Sequence, residues 1–176
     1  MSKPHLAELE FSSDPDEEGT VLLLNAFDKA VLAHSGQTRK ESGEPYIIHP
    51  IRVAKILATG GFCDVYLQCA ALLHDVLEDT KESIDEFPQT VRELVSLVTR
   101  KKGESKDEAI EKLAGRALLL KMADRLDNFS GDGEFTRKYR KREHSRTIRL
   151  LELAEAGGFK MTDLFLMLTR KTYESS

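Results

Sequence analysis

The sequence contains little cysteine and no tryptophan, and this scarcity excludes several kinds of site. Cys63 and Cys69 are the two cysteines among 176 residues. They are too few for the disulfide framework of a small secreted protein, and their spacing is not that of a zinc-binding motif. We interpret both as reduced thiols, which favours a cytoplasmic protein.

Long apolar runs and an excess of basic charge are also missing from the sequence. The longest uninterrupted apolar runs hold four or five residues, as at Val21–Leu24, whereas a membrane-spanning helix needs about 20. No apolar segment follows Met1, so we expect no secretory signal. The formal net charge of -4 does not favour a surface that binds nucleic acid polymers. We therefore predict neither a membrane nor a nucleic-acid partner, and the oligomeric state stays open.

What the sequence does contain is the helical pattern of one domain. Hydrophobic residues make up 40% and charged residues 32% of the chain, as in ordinary globular domains. Residues 1–19 are acidic and show little apolar periodicity, so we predict a flexible lead-in there. From Thr20 onward the apolar residues recur at helical spacing without sustained strict alternation. We therefore predict a compact, single-domain, all-α bundle over residues 20–176.

Glycine and proline divide this pattern into eight predicted helices. They are Val21–His34, Pro50–Thr59, Val65–Glu78, Pro88–Thr99, Lys106–Ala114, Arg116–Asn128, Glu134–Ala156 and Thr162–Tyr173. One concentrated basic run, residues 137–142, falls inside the seventh of them. We interpret it as a solvated helix face that could also attract an anion.

The segment 70–80 carries the densest set of potential metal ligands. With His74 as the reference on a helical wheel, Glu78, Asp75 and Asp79 lie at about 40°, 100° and 140°. Three carboxylates beside an imidazole repel one another unless a cation lies among them or water screens them. A solvated helix face is the alternative interpretation, but a metal site explains the histidine and the acidic residues together.

Further ligands must come from other helices, because one helix seldom completes a metal site. His49 precedes a proline at a predicted helix start, and we predict that it is a partner of His74. Asp124 and Asn128 share one face of a later helix, with Lys121 beside them. Asp124 would supply an oxygen ligand, and Lys121 a positive charge for an anionic substrate or for pairing with a carboxylate.

The predicted ligand set is therefore His49, His74, Asp75 and Asp124. Two nitrogens and two oxygens without sulfur suit Mn²⁺ or a similar octahedral ion better than a closed thiolate zinc site. Affinity alone leaves Zn²⁺, Fe²⁺ and Co²⁺ open.

Four segments of the chain, taken in order, resemble a known family. They are residues 33–40 (AHSGQTRK), 43–50 (GEPYIIHP), 71–80 (ALLHDVLEDT) and 121–128 (KMADRLDN). They are similar to the hydrolase domain of the Rel/Spo alarmone enzymes and of the small alarmone hydrolases, within the superfamily of HD-domain metal-dependent phosphohydrolases. The resemblance runs from about residue 24 to residue 156 and implies an HD-type helical bundle.

The resemblance also implies a reaction and a role for each matching residue. The reaction is hydrolysis of guanosine 3′,5′-bis(diphosphate), or its pentaphosphate relative, at the 3′ position, which releases pyrophosphate and GDP or GTP. The implied cofactor is a divalent metal, Mn²⁺, and the implied partner is the nucleotide substrate. The implied metal ligands are His49, His74, Asp75 and Asp124. Glu78 and Asp79 are implied to position or activate the attacking water. Arg39 is implied to line the base pocket, Lys40 to lie near the phosphates, and Asn128 to contact the base or ribose.

Three departures from the family pattern keep two alternatives open. Asp127 stands where the family commonly has histidine, and Phe129-Ser130 stands where it has Met-Arg. Residues 103–108 are short and mixed in charge, where the family has a longer basic stretch. The alternatives are a phosphohydrolase that acts on another nucleotide or pyrophosphorylated metabolite, and a catalytically silent HD domain that senses a nucleotide by binding it.

Overall fold

The fold is a bundle of helices, seen in a computed structural model that describes residues 16–40, 42–131 and 133–174. Within these ranges the chain forms nine helices and no strand, which confirms the all-α prediction. The helices are α1 (Glu17–Ala33), α2 (Ile48–Thr59), α3 (Val65–Leu73), α4 (Val76–Asp79), α5 (Gln89–Val98), α6 (Lys106–Glu111), α7 (Arg116–Phe129), α8 (Glu134–Ala156) and α9 (Asp163–Tyr173).

Helices α3 and α7 form the centre of the bundle. Helix α3 packs against α1, α2, α5 and α7, and α7 packs against α2, α3, α5, α8 and α9. Both are buried over most of their surface, and α7 buries polar residues as well as apolar ones, including Asp124, Arg125 and Asp127. Buried polar groups need partners, so the polar side of α7 is where the fold assembles its charged site.

The first helix begins earlier than the sequence pattern predicted. The Oδ1 atom of Asp16 accepts a hydrogen bond from the backbone N–H of Gly19 at 2.8 Å, which caps a helix that starts at Glu17. The last residues of the predicted 1–19 lead-in are therefore helical. The rest of that lead-in, residues 1–15, lies outside the described ranges.

The predicted helix Val65–Glu78 is interrupted at the His74-Asp75 pair. Helix α3 ends at Leu73, and α4 begins at Val76. The Nδ1 atom of His74 donates to the carbonyl oxygen of Ala71 at 2.8 Å, and in a continuous helix that carbonyl would accept the N–H of Asp75. The histidine side chain therefore competes with the helical hydrogen bond and starts a new turn.

Backbone hydrogen bonds join residues 37–40 to residues 43–46, between α1 and α2, and fix two side chains of the site. The backbone N–H of Arg39 donates to the carbonyl of Glu44 at 2.9 Å, and that of Tyr46 to the carbonyl of Gln37 at 3.0 Å. Gly43 closes the loop with φ at +69°, a conformation that side chains other than glycine rarely adopt. These hydrogen bonds fix the backbone from which the Arg39 and Tyr46 side chains project.

The basic run in α8 is only partly a solvated face, so that interpretation was wrong for two of its residues. Arg137, Lys138 and Lys141 are exposed. Arg140 is buried, and its Nη1 atom donates to the carbonyl of Phe129 at 3.0 Å. Tyr139 packs against the hydrophobic core.

Among the described helices, none is long and apolar enough to cross a membrane.

Candidate metal centre

The four predicted ligands lie close together, and three of them, His49, Asp75 and Asp124, line a single pocket. The Nε2 atom of His49 lies 3.5 Å from Asp75 Oδ2 and 3.3 Å from Asp124 Oδ1. The Nε2 atom of His74 lies 3.1 Å from the same Asp75 oxygen and 4.0 Å from the same Asp124 oxygen. Ligand atoms of His49, His74 and Asp124 all lie within 4.8 Å of one another. Helices α2 and α7 therefore contribute one donor residue each, and the α3–α4 turn contributes two.

His74 is held so that one ring nitrogen faces the carboxylates without a proton of its own. Its Nδ1 atom donates to a carbonyl oxygen, which can only accept, so in the neutral ring Nε2 carries a lone pair. Nε2 is buried and has no hydrogen-bond partner among the described residues. A lone pair that faces carboxylate oxygens at 3.1 Å is repelled unless a positive charge lies between them. The donor set therefore fits a divalent cation.

His49 is oriented by a carboxylate behind it. Its Nδ1 atom lies 2.7 Å from Asp127 Oδ2, and both side chains are buried. Although burial disfavours the charged imidazole, hydrogen bonds to Asp124 and Asp127 raise the pKa of His49 to about 9. A carboxylate behind a ligating histidine fixes the tautomer and strengthens the nitrogen as a ligand.

Tyr46 connects two of the acidic residues. Its hydroxyl lies 2.7 Å from Asp75 Oδ2 and 3.0 Å from Asp79 Oδ2, and it has one proton to donate. Burial and the charge of Asp75 raise the pKa of Tyr46. Against the effect of burial, the positive charge that His74 carries when it is protonated lowers the pKa of Asp75. The hydroxyl thus stays a donor between two carboxylates.

Asp124 is the most heavily supported of the candidate ligands. Its Oδ2 atom accepts from Lys121 Nζ at 2.7 Å, and its Oδ1 atom accepts from Asn128 Nδ2 at 2.6 Å. Against the effect of burial, the charge of Lys121 lowers the pKa of Asp124 well below its usual range. Of the two roles predicted for Lys121, the structure supports pairing with a carboxylate.

The residues that the resemblance implies for the substrate lie at different depths. Asn128 also accepts from Arg39 Nη2 at 2.9 Å, so Arg39 reaches the metal end of the pocket. Lys40 is exposed and does not line the pocket of the metal ligands. It lies in an adjoining open groove that shares Arg39, Tyr46 and Asp79 with that pocket.

Glu78 and Asp79, the acidic pair implied for water activation, lie at the rim of the pocket. Both are exposed and line it. One oxygen of Glu78 accepts from the backbone N–H of Arg100 at 3.3 Å, and the Arg100 guanidinium lies 3.8 Å from the other. Both acids therefore lie within reach of solvent and of the candidate metal ligands.

The opposite end of the same pocket is basic, and sequence reasoning did not identify it. Lys106, Arg125 and Arg146 line it together with the buried carboxylate of Glu143. The cations come from α6, α7 and α8, so no local pattern connects them. The usable signal was the sequence Ser105-Lys-Asp-Glu108, a helix-capping motif that places Lys106 in the first turn of α6.

Two residues that contact the candidate ligands were also missed. Tyr46 lies inside the segment 43–50, but the sequence does not show that its hydroxyl reaches Asp75. Asp127 was noted only as a departure from the family, and its bond to His49 joins residues 78 positions apart. Spacing within one helix carries no signal for such a pair.

Comparisons with known proteins identify a family and several relatives of this chain. A family model described as "HD domain" matches residues 26–146. The chain is 41% identical over 136 residues to a guanosine-3′,5′-bis(diphosphate) 3′-pyrophosphohydrolase of Vibrio cholerae, covering 68% of this chain and 19% of that protein. It is 43% identical over 119 residues to the enzyme of the same name, MESH1, of Mus musculus, covering 60% of this chain and 66% of that one.

A solved structure shares the fold. It is described as a metazoan ortholog of SpoT that hydrolyzes ppGpp, and it superposes with a TM-score of 0.70 at 27% identity, over 93% of this chain and 98% of that one. The chain thus spans about a fifth of the bacterial relative and just under two thirds of the mouse relative.

Proposed function

This chain belongs to the HD-domain family, and we propose that it is a divalent-metal-dependent phosphohydrolase that removes pyrophosphate from the 3′ position of guanosine 3′,5′-bis(diphosphate). Two relatives that carry this activity in their names are 41% and 43% identical to it. We propose Mn²⁺ as the ion, residues 20–176 as the hydrolase domain, and the cytoplasm as its location.

The observation that carries the proposal is the buried Nε2 atom of His74, which has no partner among the described residues and faces two carboxylates and a second imidazole. Such a set of nitrogen and oxygen donors suits a catalytic divalent ion with open positions. When bound, the ion would lower the pKa of a water molecule and polarise a phosphoryl oxygen.

We assign the other steps of the reaction to side chains around the candidate metal ligands. We assign Glu78 and Asp79 as the groups that orient the attacking water and accept its proton, since both are exposed at the rim of the same pocket. The Tyr46 hydroxyl lies within hydrogen-bond distance of both Asp75 and Asp79 and orients their carboxylates. Arg39, fixed against Asn128, is assigned to the nucleotide base, and Lys121 balances the charge of Asp124.

The direct test is to incubate metal-stripped protein with Mn²⁺ and guanosine 3′,5′-bis(diphosphate) and to measure the release of pyrophosphate. We expect release with Mn²⁺ and none in the presence of a chelator. The Asp75→Ala variant is the control for contaminating phosphatases. No turnover with Mn²⁺, Zn²⁺, Fe²⁺ or Co²⁺ would contradict the assignment.

A second candidate is the same chemistry on another nucleotide or pyrophosphorylated metabolite. It is favoured by Lys40, the implied phosphate contact, which lies outside the pocket of the candidate metal ligands. A panel of nucleoside mono-, di- and triphosphates decides between the two, and binding without turnover would favour a sensor instead.

A further inference from the structure

The basic end of the pocket is built around one buried carboxylate. Glu143 is 1% exposed, and its oxygens lie 2.9 Å from Lys106 Nζ, 3.3 Å from Arg125 Nη1 and 3.6 Å from Arg146 Nη1. Arg142 adds a fourth contact at 3.3 Å from outside the pocket. Although burial alone would raise it, the hydrogen bond from Lys106 and the charge of Arg125 lower the pKa of Glu143 to about 2.

This cluster has more positive than negative charge. The four cations share two carboxylates, because Arg146 also pairs with Asp107 at 2.8 Å, and two positive charges are left over. Of these four cations Arg125 is the desolvated one, with a side chain 5% exposed, and a buried cation is costly unless it meets an anion. Glu143 therefore holds the cations in place without neutralising them.

Donors in the cluster remain available for a ligand. The Arg125 side chain is 5% exposed, and its Nε atom has no acceptor among the described residues. The side chains of Lys106 and Arg146 are 49% and 28% exposed and line the pocket. The capping box of Ser105 and Glu108 fixes the start of α6, and with it Lys106.

The two ends of the pocket suit two different parts of a phosphorylated ligand. The acidic end suits a metal ion and the phosphoryl group it activates. The basic end suits phosphate oxygens that have no metal to neutralise them, since arginine and lysine donate to such oxygens directly. The same pocket is also lined by the apolar residues Val98, Ala109, Ile110 and Leu113 and by Tyr139.

We propose that Lys106, Arg125 and Arg146, positioned by Glu143, bind a second phosphate group of the substrate, apart from the phosphoryl group at the metal ligands. This assignment rests on the proposed function. In a guanosine bis(diphosphate) the group is either the 5′-diphosphate or the terminal phosphate of the departing 3′-diphosphate. Both present the same oxyanion chemistry, and product fragments distinguish them.

The experiment measures binding by calorimetry to the Mn²⁺-loaded protein, with GDP as the probe for the 5′ group and inorganic pyrophosphate as the probe for the leaving group. The variants are Lys106→Gln and Arg146→Gln. Arg149→Gln is the matched control, since Arg149 lies on the same helix but pairs with Glu111 and does not line the pocket. Thermal melting of each variant checks the fold.

We expect Lys106→Gln and Arg146→Gln each to raise the Kd of at least one probe about tenfold, the usual size of a lost charge-assisted hydrogen bond. Weaker GDP binding assigns the 5′-diphosphate, weaker pyrophosphate binding assigns the leaving group, and weakening of both means that they share the cations. The proposal is overturned if neither probe binds the unaltered protein, or if the variants bind as the Arg149→Gln control does.

These outcomes are independent of turnover. Weakened probe binding in a protein that fails to hydrolyse guanosine 3′,5′-bis(diphosphate) retains the phosphate subsite and rejects the proposed function. Normal hydrolysis with unchanged probe binding retains the function and rejects the subsite.

Discussion

The two ends of the pocket differ in charge: one is rich in carboxylates, and the other is rich in cations. At the end formed by α2, the α3–α4 turn and α7, the carboxylates of Asp75 and Asp124 face the unpartnered Nε2 atom of His74. At the end formed by α6, α7 and α8, cations surround a single buried carboxylate. Helix α7 serves both ends, because Asp124 belongs to the first and the adjacent Arg125 to the second.

This contrast shows how one helix can align a substrate. Neighbouring residues of a helix point about 100° apart, so consecutive residues of opposite charge on a buried helix face different walls of the cleft. A ligand with one group that needs a metal and another that needs direct donors would be oriented by the pair. Substitutions that remove the charge of one end at a time test this alignment.

The largest effect is expected from the loss of a candidate metal ligand. Asp75→Ala removes the oxygen that lies 3.1 Å from His74 Nε2 and 3.5 Å from His49 Nε2. Because a ligand matters more than its supporting groups, we expect metal affinity to fall by more than about 100-fold, the upper range for outer-shell changes, and hydrolysis to stop. Elemental analysis and the pyrophosphate assay measure both. Full metal content in this variant would remove Asp75 from the ligand set.

A smaller effect is expected when proton acceptance alone is removed. Glu78→Gln keeps the shape of the side chain and its hydrogen bond from the Arg100 N–H, but the amide cannot accept the proton of the attacking water. We expect kcat to fall by about 10²–10⁴-fold, the usual contribution of general acid–base groups, with metal content unchanged. Asp79→Asn is the matched variant. Loss of metal from Glu78→Gln would make Glu78 a ligand instead.

At the basic end, Glu143→Gln tests stability rather than metal binding. It leaves the buried Arg125 without its carboxylate, and breaking a buried pair in this way costs about 3–5 kcal/mol of unfolding free energy. Glu152→Gln is the control, because Glu152 lies on the same helix in an exposed pair with Arg149. Urea unfolding measures the difference, and equal stabilities of the two variants would contradict the buried network.

The same group predicts how stability depends on pH. The pKa of Glu143 is about 2 in the folded protein and about 4.3 in an unfolded chain, so its contribution is present above the unfolded value and is lost as the pH falls from about 4.3 towards 2. The unaltered protein should lose more stability across this window than Glu143→Gln does. Parallel loss in both proteins would contradict the lowered pKa.

The sequence predicted those parts of the molecule that local patterns determine. The all-α fold, the bounds of α8 and the candidate ligands His49, His74, Asp75 and Asp124 all lie in runs whose spacing or motif carries information. The break between α3 and α4 was not predicted, because it depends on the His74 side chain taking the carbonyl of Ala71. That competition is decided by side-chain geometry rather than by helix propensity.

The pairs that complete both ends of the pocket could not be predicted in this way. Asp127 with His49 and Lys106 with Glu143 join residues 78 and 37 positions apart. The basic run predicted a solvated Arg140, yet this side chain is buried and donates to the carbonyl of Phe129. Charge patterns along a helix do not reveal which neighbouring helix will cover them.

The smallest effect is expected behind the metal end, at Asp127. Asp127→Asn keeps the side-chain volume but removes the negative charge that lies 2.7 Å from His49 Nδ1, so His49 becomes a weaker ligand. We expect metal affinity to fall by about 10–100-fold. The melting temperature of the metal-free protein should also fall, because the variant loses the charged partner of a buried imidazole. Asp28→Asn, at an exposed position on α1, is the control, and titration of metal-stripped protein gives the Kd.

Asp127→His should bind metal more weakly than the unaltered protein as well, since a neutral ring can accept the Nδ1 proton but brings no charge. An unchanged Kd in both Asp127 variants would mean that ring orientation by the surrounding helices is sufficient, and that the carboxylate contributes nothing to the metal end of the pocket.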